Sequence, residues 1–174
     1  MRNKKIQFIA ALMALVLPLC AAIPAWEKEA PESIADLLAI QKQVQSVLKK
    51  CMAATVTLQM GRSSGSGVIV NKDGLVLTAG HVSGRPGRAV TVVLADGRRL
   101  KGKALGAHKG SDSGMVRITD PPDNLPIVDF DQRKDKLPTI GQWCIAVGNP
   151  GGLDKERGAV VRVGRVIKAI LVHN

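Results

Sequence analysis

One stretch constrains this chain more than any other: Gly-Ser-Gly-Val-Ile-Val-Asn-Lys-Asp-Gly-Leu-Val-Leu-Thr-Ala-Gly-His-Val, residues 65–82. Val68–Val70 and Leu75–Leu77 are aliphatic, partly β-branched blocks of a kind that suits buried strands. Asn71–Gly74 between them is polar and ends in glycine, which reads as the turn of a hairpin. The second strand delivers His81 just past its end, and imidazole is the side chain whose ordinary proton affinity lies nearest neutrality. His81 is therefore the candidate base. Any core built around this hairpin must be aliphatic, because aromatic residues make up only 2% of the chain and tyrosine is absent.

The rest of the chain falls into segments by periodicity. From Pro31 to Ala53, within an expected helical region of 29–53, Ile34, Leu37, Leu38, Val44, Val47, Leu48 and Cys51 recur at steps of three and four, giving one apolar helix face that should dock on the neighbouring core. Pro31, Glu32 and Asp36 suit its start and Lys49–Lys50 its end. From Thr55 the period shortens to that of strands, expected near 55–59, 66–70, 75–78, 90–94, 98–105 and 114–118, with Asp96-Gly97 as a hairpin turn. Six short antiparallel strands within 54–126 favour a closed barrel, since closure removes exposed edges. After the linker Asp120-Pro-Pro-Asp-Asn-Leu-Pro126 and the polar run 129–136, two more strands are expected near 142–147 and 159–167, joined by Gly148-Asn-Pro-Gly-Gly152.

Thr78-Ala-Gly-His-Val82, preceded by Ser64-Gly-Ser-Gly67, resembles the histidine motif of trypsin-like serine proteases and most closely the bacterial HtrA/Deg type. The resemblance covers about residues 54–170. It implies an all-β double barrel with an N-terminal amphipathic helix, the first barrel at 54–126 and only the start of a second at 137–174. It also implies a serine endopeptidase working by a Ser-His-Asp triad on protein or peptide substrates. His81 would be its base. Asp112, in Gly110-Ser-Asp-Ser-Gly-Met-Val-Arg-Ile118, matches the family's aspartate, a buried carboxylate that accepts the imidazole N–H and fixes its tautomer. The match departs at Ser113, where an apolar residue is commoner.

In chymotrypsin-like order the nucleophile follows His and Asp, and Ser113 is the only serine after Asp112. Ser111-Asp-Ser-Gly114 imitates a nucleophile motif, but Met115 breaks the glycine pair expected after the serine and continues a strand instead. Ser113 is accordingly set aside, and the nucleophile is expected from a part of the second barrel beyond Asn174, so that the chain by itself would be inactive. Two unfinished strands would leave Ile145, Val147, Val161 and Val163 short of partners, to be covered by a missing C-terminal portion or by an oligomer. His108 and His173 lack such context and read as exposed-loop and terminal residues.

No cofactor is expected. Three dispersed histidines and two cysteines outside the N-terminus offer no paired zinc-ligand spacing. Gly148–Gly152 lacks the Lys and Ser/Thr of a phosphate loop. Residues 1–25 combine Arg2, Lys4 and Lys5, an apolar run from Ile6 to Leu19 and small residues after it, the layout of a cleaved signal peptide, which implies an exported, periplasmic or extracellular protein. The run is too short for a comfortable membrane span, and Leu19 before Cys20 argues against lipid attachment. Losing residues 1–22 takes those three cations and no acid, so the net charge falls from +11 to +8. Export permits a Cys51–Cys144 disulfide, but two free thiols fit the sequence equally. Arg85, Arg88, Arg98, Arg99, Lys101 and Lys103 cluster without interleaved aromatics, which disfavours nucleic acid. Two alternatives to an enzyme stay open at this level: a protease-like binding module without catalysis, and a basic exported protein that binds anionic surfaces.

Overall fold

The computed structural model describes residues 30–128, 138–154 and 156–168. The expected signal peptide at 1–25, the polar run at 129–136 and His173 lie outside the described residues.

The chain enters through α1 (Ile34–Ala54). Its start is fixed by Ser33, whose Oγ accepts the amide of Asp36 at 3.1 Å while the Asp36 carboxylate accepts the amide of Glu32 at 3.0 Å. Such reciprocal bonds satisfy amides that the first helical turn leaves without partners. The helix ends past Lys49–Lys50, where Thr55 turns to extended geometry and its Oγ1 caps the carbonyl of Cys51 at 2.8 Å. β-branched Thr55, Val56 and Thr57 then favour strand over helix, so β1 begins with no intervening loop.

Six strands follow: β1 (Thr55–Met60), β2 (Ser63–Ile69), β3 (Leu75–Ala79), β4 (Ala89–Val93), β5 (Arg99–His108) and β6 (Ser113–Ile118). A one-turn helix, α2 (Gly80–Ser83), intervenes between β3 and β4. The strands close into an antiparallel barrel in the order β1-β2-β3-β6-β5-β4. The hairpin expected at Asp96-Gly97 forms: Leu94 N–H bonds the carbonyl of Arg98 at 2.9 Å, and Gly97 takes φ +89°, the left-handed position that ends a three-residue hairpin loop.

Alternation decides which side chains fill the barrel. Val56, Leu58 and Met60 from β1, Ile69, Val76, Val90, Val92, Val116 and Ile118 point inward and are buried, and Leu94 and Leu125 complete the cluster. β5 contributes the partly buried Leu100 and then only the small Gly102 and Ala104 to this core; a Cβ at 102 would lie 2.9 Å from the carbonyl oxygen of Arg117.

Beyond the linker, β7 (Trp143–Gly148) and β8 (Val160–Arg165) form a two-stranded antiparallel sheet. It seats on the barrel through Asn149, whose amide donates to Ser66 Oγ at 2.8 Å, and through contacts of β7 with β1. Thr57, on the outer side of β1, is fully buried, and its hydroxyl has no hydrogen-bond partner among the described residues.

The expectation that α1 docks along its apolar face holds only for its C-terminal half. Val44, Val47 and Cys51 border a cleft against β7 and β8, whereas Ile34 is 77% exposed and Leu37 and Leu38 are more than half exposed. The physical reason is reach. α1 runs straight into β1 and meets the rest of the fold at β1 and β7, so the residues around Ile34–Leu38 have no surface opposite them among the described residues. No helix among the described residues is long and apolar enough to cross a membrane.

Leu58→Ala should remove about 2–5 kcal/mol of stability by opening a cavity in the barrel, whereas Leu37→Ala should change it by less than about 0.5 kcal/mol; chemical denaturation of both variants checks this contrast. Thr57→Val, which replaces a buried unbonded hydroxyl with a methyl of the same shape, should stabilise by about 1 kcal/mol, read as a raised denaturation midpoint.

Candidate active site

The site is assembled where β3 ends beside the start of β6. These strands pair from Leu75↔Arg117 to Ala79↔Ser113, and that register brings the residue after Ala79 against the residue before Ser113. The amide of Gly80 accordingly donates to the main-chain oxygen of Asp112 at 2.7 Å. The approach leaves little room for a side chain: a Cβ at position 80 would sit 3.1 Å from Asp112 Oδ1 and 3.2 Å from Ala107 Cβ. Gly80 also opens α2, so His81 stands on a helical turn just past the end of β3.

Asp112 is held in three ways at once. Beside its main-chain bond to Gly80, Oδ1 accepts the amide of His81 at 2.9 Å and Oδ2 lies 2.8 Å from His81 Nδ1. Its φ of +47° is the one left-handed value at a non-glycine residue among the described residues, a conformation that aspartate tolerates better than most side chains. This backbone twist, at the end of the turn formed by residues 109–112, aims the carboxylate back over α2. The His81 amide, then its imidazole, and more weakly the Gly80 amide hold the carboxyl below the usual carboxylate range, against a small opposing cost of desolvation.

An ionised Asp112 facing Nδ1 favours the tautomer with the proton on that nitrogen, leaving Nε2 as the acceptor. No hydrogen bond among the described residues engages Nε2. The carboxylate is not buried as the resemblance implied: the side chains of His81 and Asp112 are 73% and 56% exposed. Nothing among the described residues covers this mouth of the barrel, since β7 seats against β1 and Asn149 against Ser66 of β2 instead.

Behind the pair, Ser83 is fully buried and donates to the carbonyl of Gly106 at 3.0 Å. Gly114 makes room for it, because a Cβ at 114 would collide with Ser83 Oγ and stand 2.9 Å from the oxygen of Ala79. Sequence reading passed over this seat; a glycine one residue into a strand, two positions after the aspartate, was its only trace.

Ser113 is engaged elsewhere. Its Oγ lies 2.8 Å from Ser111 Oγ, which in turn lies 2.9 Å from His108 Nδ1, an exposed string at the end of β5 that was also not anticipated. His108 Nδ1 further accepts the amide of Ser111 at 3.2 Å. Cys51 and Cys144 are both free thiols. Among the described residues no group of three or more His, Cys, Asp or Glu side chains is arranged to hold a metal ion.

With this geometry in place, comparison with known proteins is informative. A protein of Synechocystis sp. named as a serine protease, HhoB, is 42% identical over 93 residues, 53% of this chain and 21% of that protein. A protein of Brucella suis biovar 1 named as a periplasmic serine endoprotease, DegP-like, is 40% identical over 91 residues, 52% of this chain and 17% of its own. One of Haemophilus influenzae named as a periplasmic serine protease, do/HhoA-like, is 40% identical over 107 residues, 60% and 22% of the two. The chain thus spans about a fifth of the length of these curated relatives. The model of the trypsin-like peptidase domain matches residues 65–170, more than half of the sequence, and the chain belongs to that family.

Proposed function

We propose that this chain supplies the base half of a serine endopeptidase site, with His81 as general base and Asp112 as the group that orients it, acting on protein or peptide substrates in an exported, periplasmic setting. The observation that carries this reading is the pair of bonds from one carboxylate to both the amide and the imidazole of His81, at 2.9 and 2.8 Å. The two bonds fix the ring's tautomer and its direction together. In the triad reaction, Nε2 takes the proton of a serine hydroxyl as its oxygen attacks the scissile carbonyl, and Asp112 stabilises the imidazolium that results. Nε2 then returns that proton to the leaving amine.

The serine itself belongs, in this proposal, to sequence outside these 174 residues. Ser113 Oγ is bonded to Ser111 rather than to His81, and the geometry of β6 keeps it in the strand that follows the aspartate. The periplasmic names of two relatives and the basic, apolar, small-residue layout of residues 1–25 support export. Without a nucleophile and the backbone donors of an oxyanion hole, each of which contributes on the order of 10²–10³ in rate, the chain alone does not cleave peptides.

Incubation of the purified chain with a fluorophosphonate, read by mass spectrometry, should label no serine; stoichiometric labelling at Ser113 would overturn the assignment of the nucleophile. In a longer product of the same reading frame, labelling should appear beyond position 174 and slow by on the order of 10⁴ in Asp112→Asn, as the corresponding change does in well-characterised triads.

The same geometry fixes an acid dependence. A carboxyl whose proton affinity is lowered by folding adds stability above its unfolded pKa of about 4, and that contribution is lost as pH falls through its lower folded value. The Asp112 carboxyl carbon should therefore titrate below the ordinary range by NMR. Asp112→Asn should flatten the fall in stability below about pH 4.

A further inference from the structure

Outside the site, the strongest unexplained feature is on the outer wall of the barrel. Arg99, Lys101 and Lys103 alternate along β5 with their side chains outward, all three exposed, which places successive charges about 7 Å apart. Lys103 lies directly across from Arg117 of β6. Like charges opposed in this way destabilise a sheet, and no carboxylate among the described residues lies within ion-pairing distance of any of the four. Arg98 on the adjoining turn, by contrast, is paired with Asp96 at 2.7 Å. The same outer face continues along β5 to Leu105 and across to Met115 of β6, which opposes Gly106; both Leu105 and Met115 are 43% exposed.

We propose that this face of β5 and β6 is a docking surface for anionic lipid bilayers, with the cations held against phosphate headgroups and Leu105 and Met115 set at the acyl boundary. A row of cations alone would suit any polyanion. Two observations favour a membrane: the row ends in exposed aliphatic side chains rather than in polar ones, and no aromatic residue stands on the face to stack bases. A chain that keeps a net charge of +8 without residues 1–22 is drawn to such surfaces over a distance set by ionic strength. The cationic part of the row runs away from the His81–Asp112 mouth, which adjoins its apolar end, where Ala107 pairs with Gly114 and His108 with Ser113.

The test is co-sedimentation of the purified chain with phosphatidylcholine vesicles, with and without phosphatidylglycerol, beside titrations with heparin and single-stranded DNA. The chain should sediment with the anionic vesicles only. Lys101→Gln/Lys103→Gln should weaken that binding by about 25-fold, at roughly fivefold per charge, with an unchanged thermal melt showing that the barrel is intact. Leu105→Ser should weaken vesicle binding several-fold and leave heparin binding as it was. Failure to bind anionic vesicles, or equal binding by the double variant, would overturn the proposal. So would loss of heparin and vesicle binding in parallel for Lys101→Gln/Lys103→Gln with no effect of Leu105→Ser, an outcome that assigns the face to a soluble polyanion.

Discussion

The register between β3 and β6 is the constraint on which the rest of the site depends. Pairing Ala79 with Ser113 leaves Gly80 and Asp112 facing each other one step beyond the ladder. The candidate site is built in that step: the main-chain bond between them, the left-handed turn at Asp112, and the two bonds from its carboxylate to His81. A slip of one residue would exchange the inward and outward faces of β6. It would bury Met115 and Arg117 in place of Val116 and Ile118, so the packing of the core and the alignment of the pair are enforced by the same pattern of alternation.

Much of this was legible in the residues because short-range signals and burial agree there. Val68–Val70, the polar turn at 71–74 and Leu75–Leu77 each favour the same hairpin, and inward and outward positions alternate cleanly through β6. Asp96-Gly97 carries its own turn chemistry. The His81 and Asp112 positions were reachable only through resemblance, since 31 residues separate them and no local rule brings them together. Once the barrel closes, their contact is a matter of register.

What sequence could not convey has physical causes as well. The amphipathic pattern of α1 specifies a face but not a partner, and the direct passage into β1 decides which half of that face finds one. Burial of Asp112 was implied by the family, yet burial is a property of whatever stands opposite the carboxylate, not of the carboxylate's own neighbours in the chain. The Ser83–Gly114 contact is invisible to periodicity because it joins two small residues whose importance lies in how little space they take. The His108–Ser111–Ser113 string arises from a turn, where side chains three residues apart meet by geometry that composition does not encode.

The exposure of the His81–Asp112 pair bears on how such a half-site behaves. Water solvates both groups, and in a medium of high dielectric constant the attraction between a carboxylate and an imidazolium is severalfold weaker than at the same 2.8 Å in a closed crevice. The structure therefore fixes the direction of the interaction without fixing its strength. Geometry is already complete in the barrel, while electrostatic power is set from outside, by the polarity of whatever surface comes to rest over the mouth. Excluding water from above the pair would strengthen that attraction without rearranging either side chain.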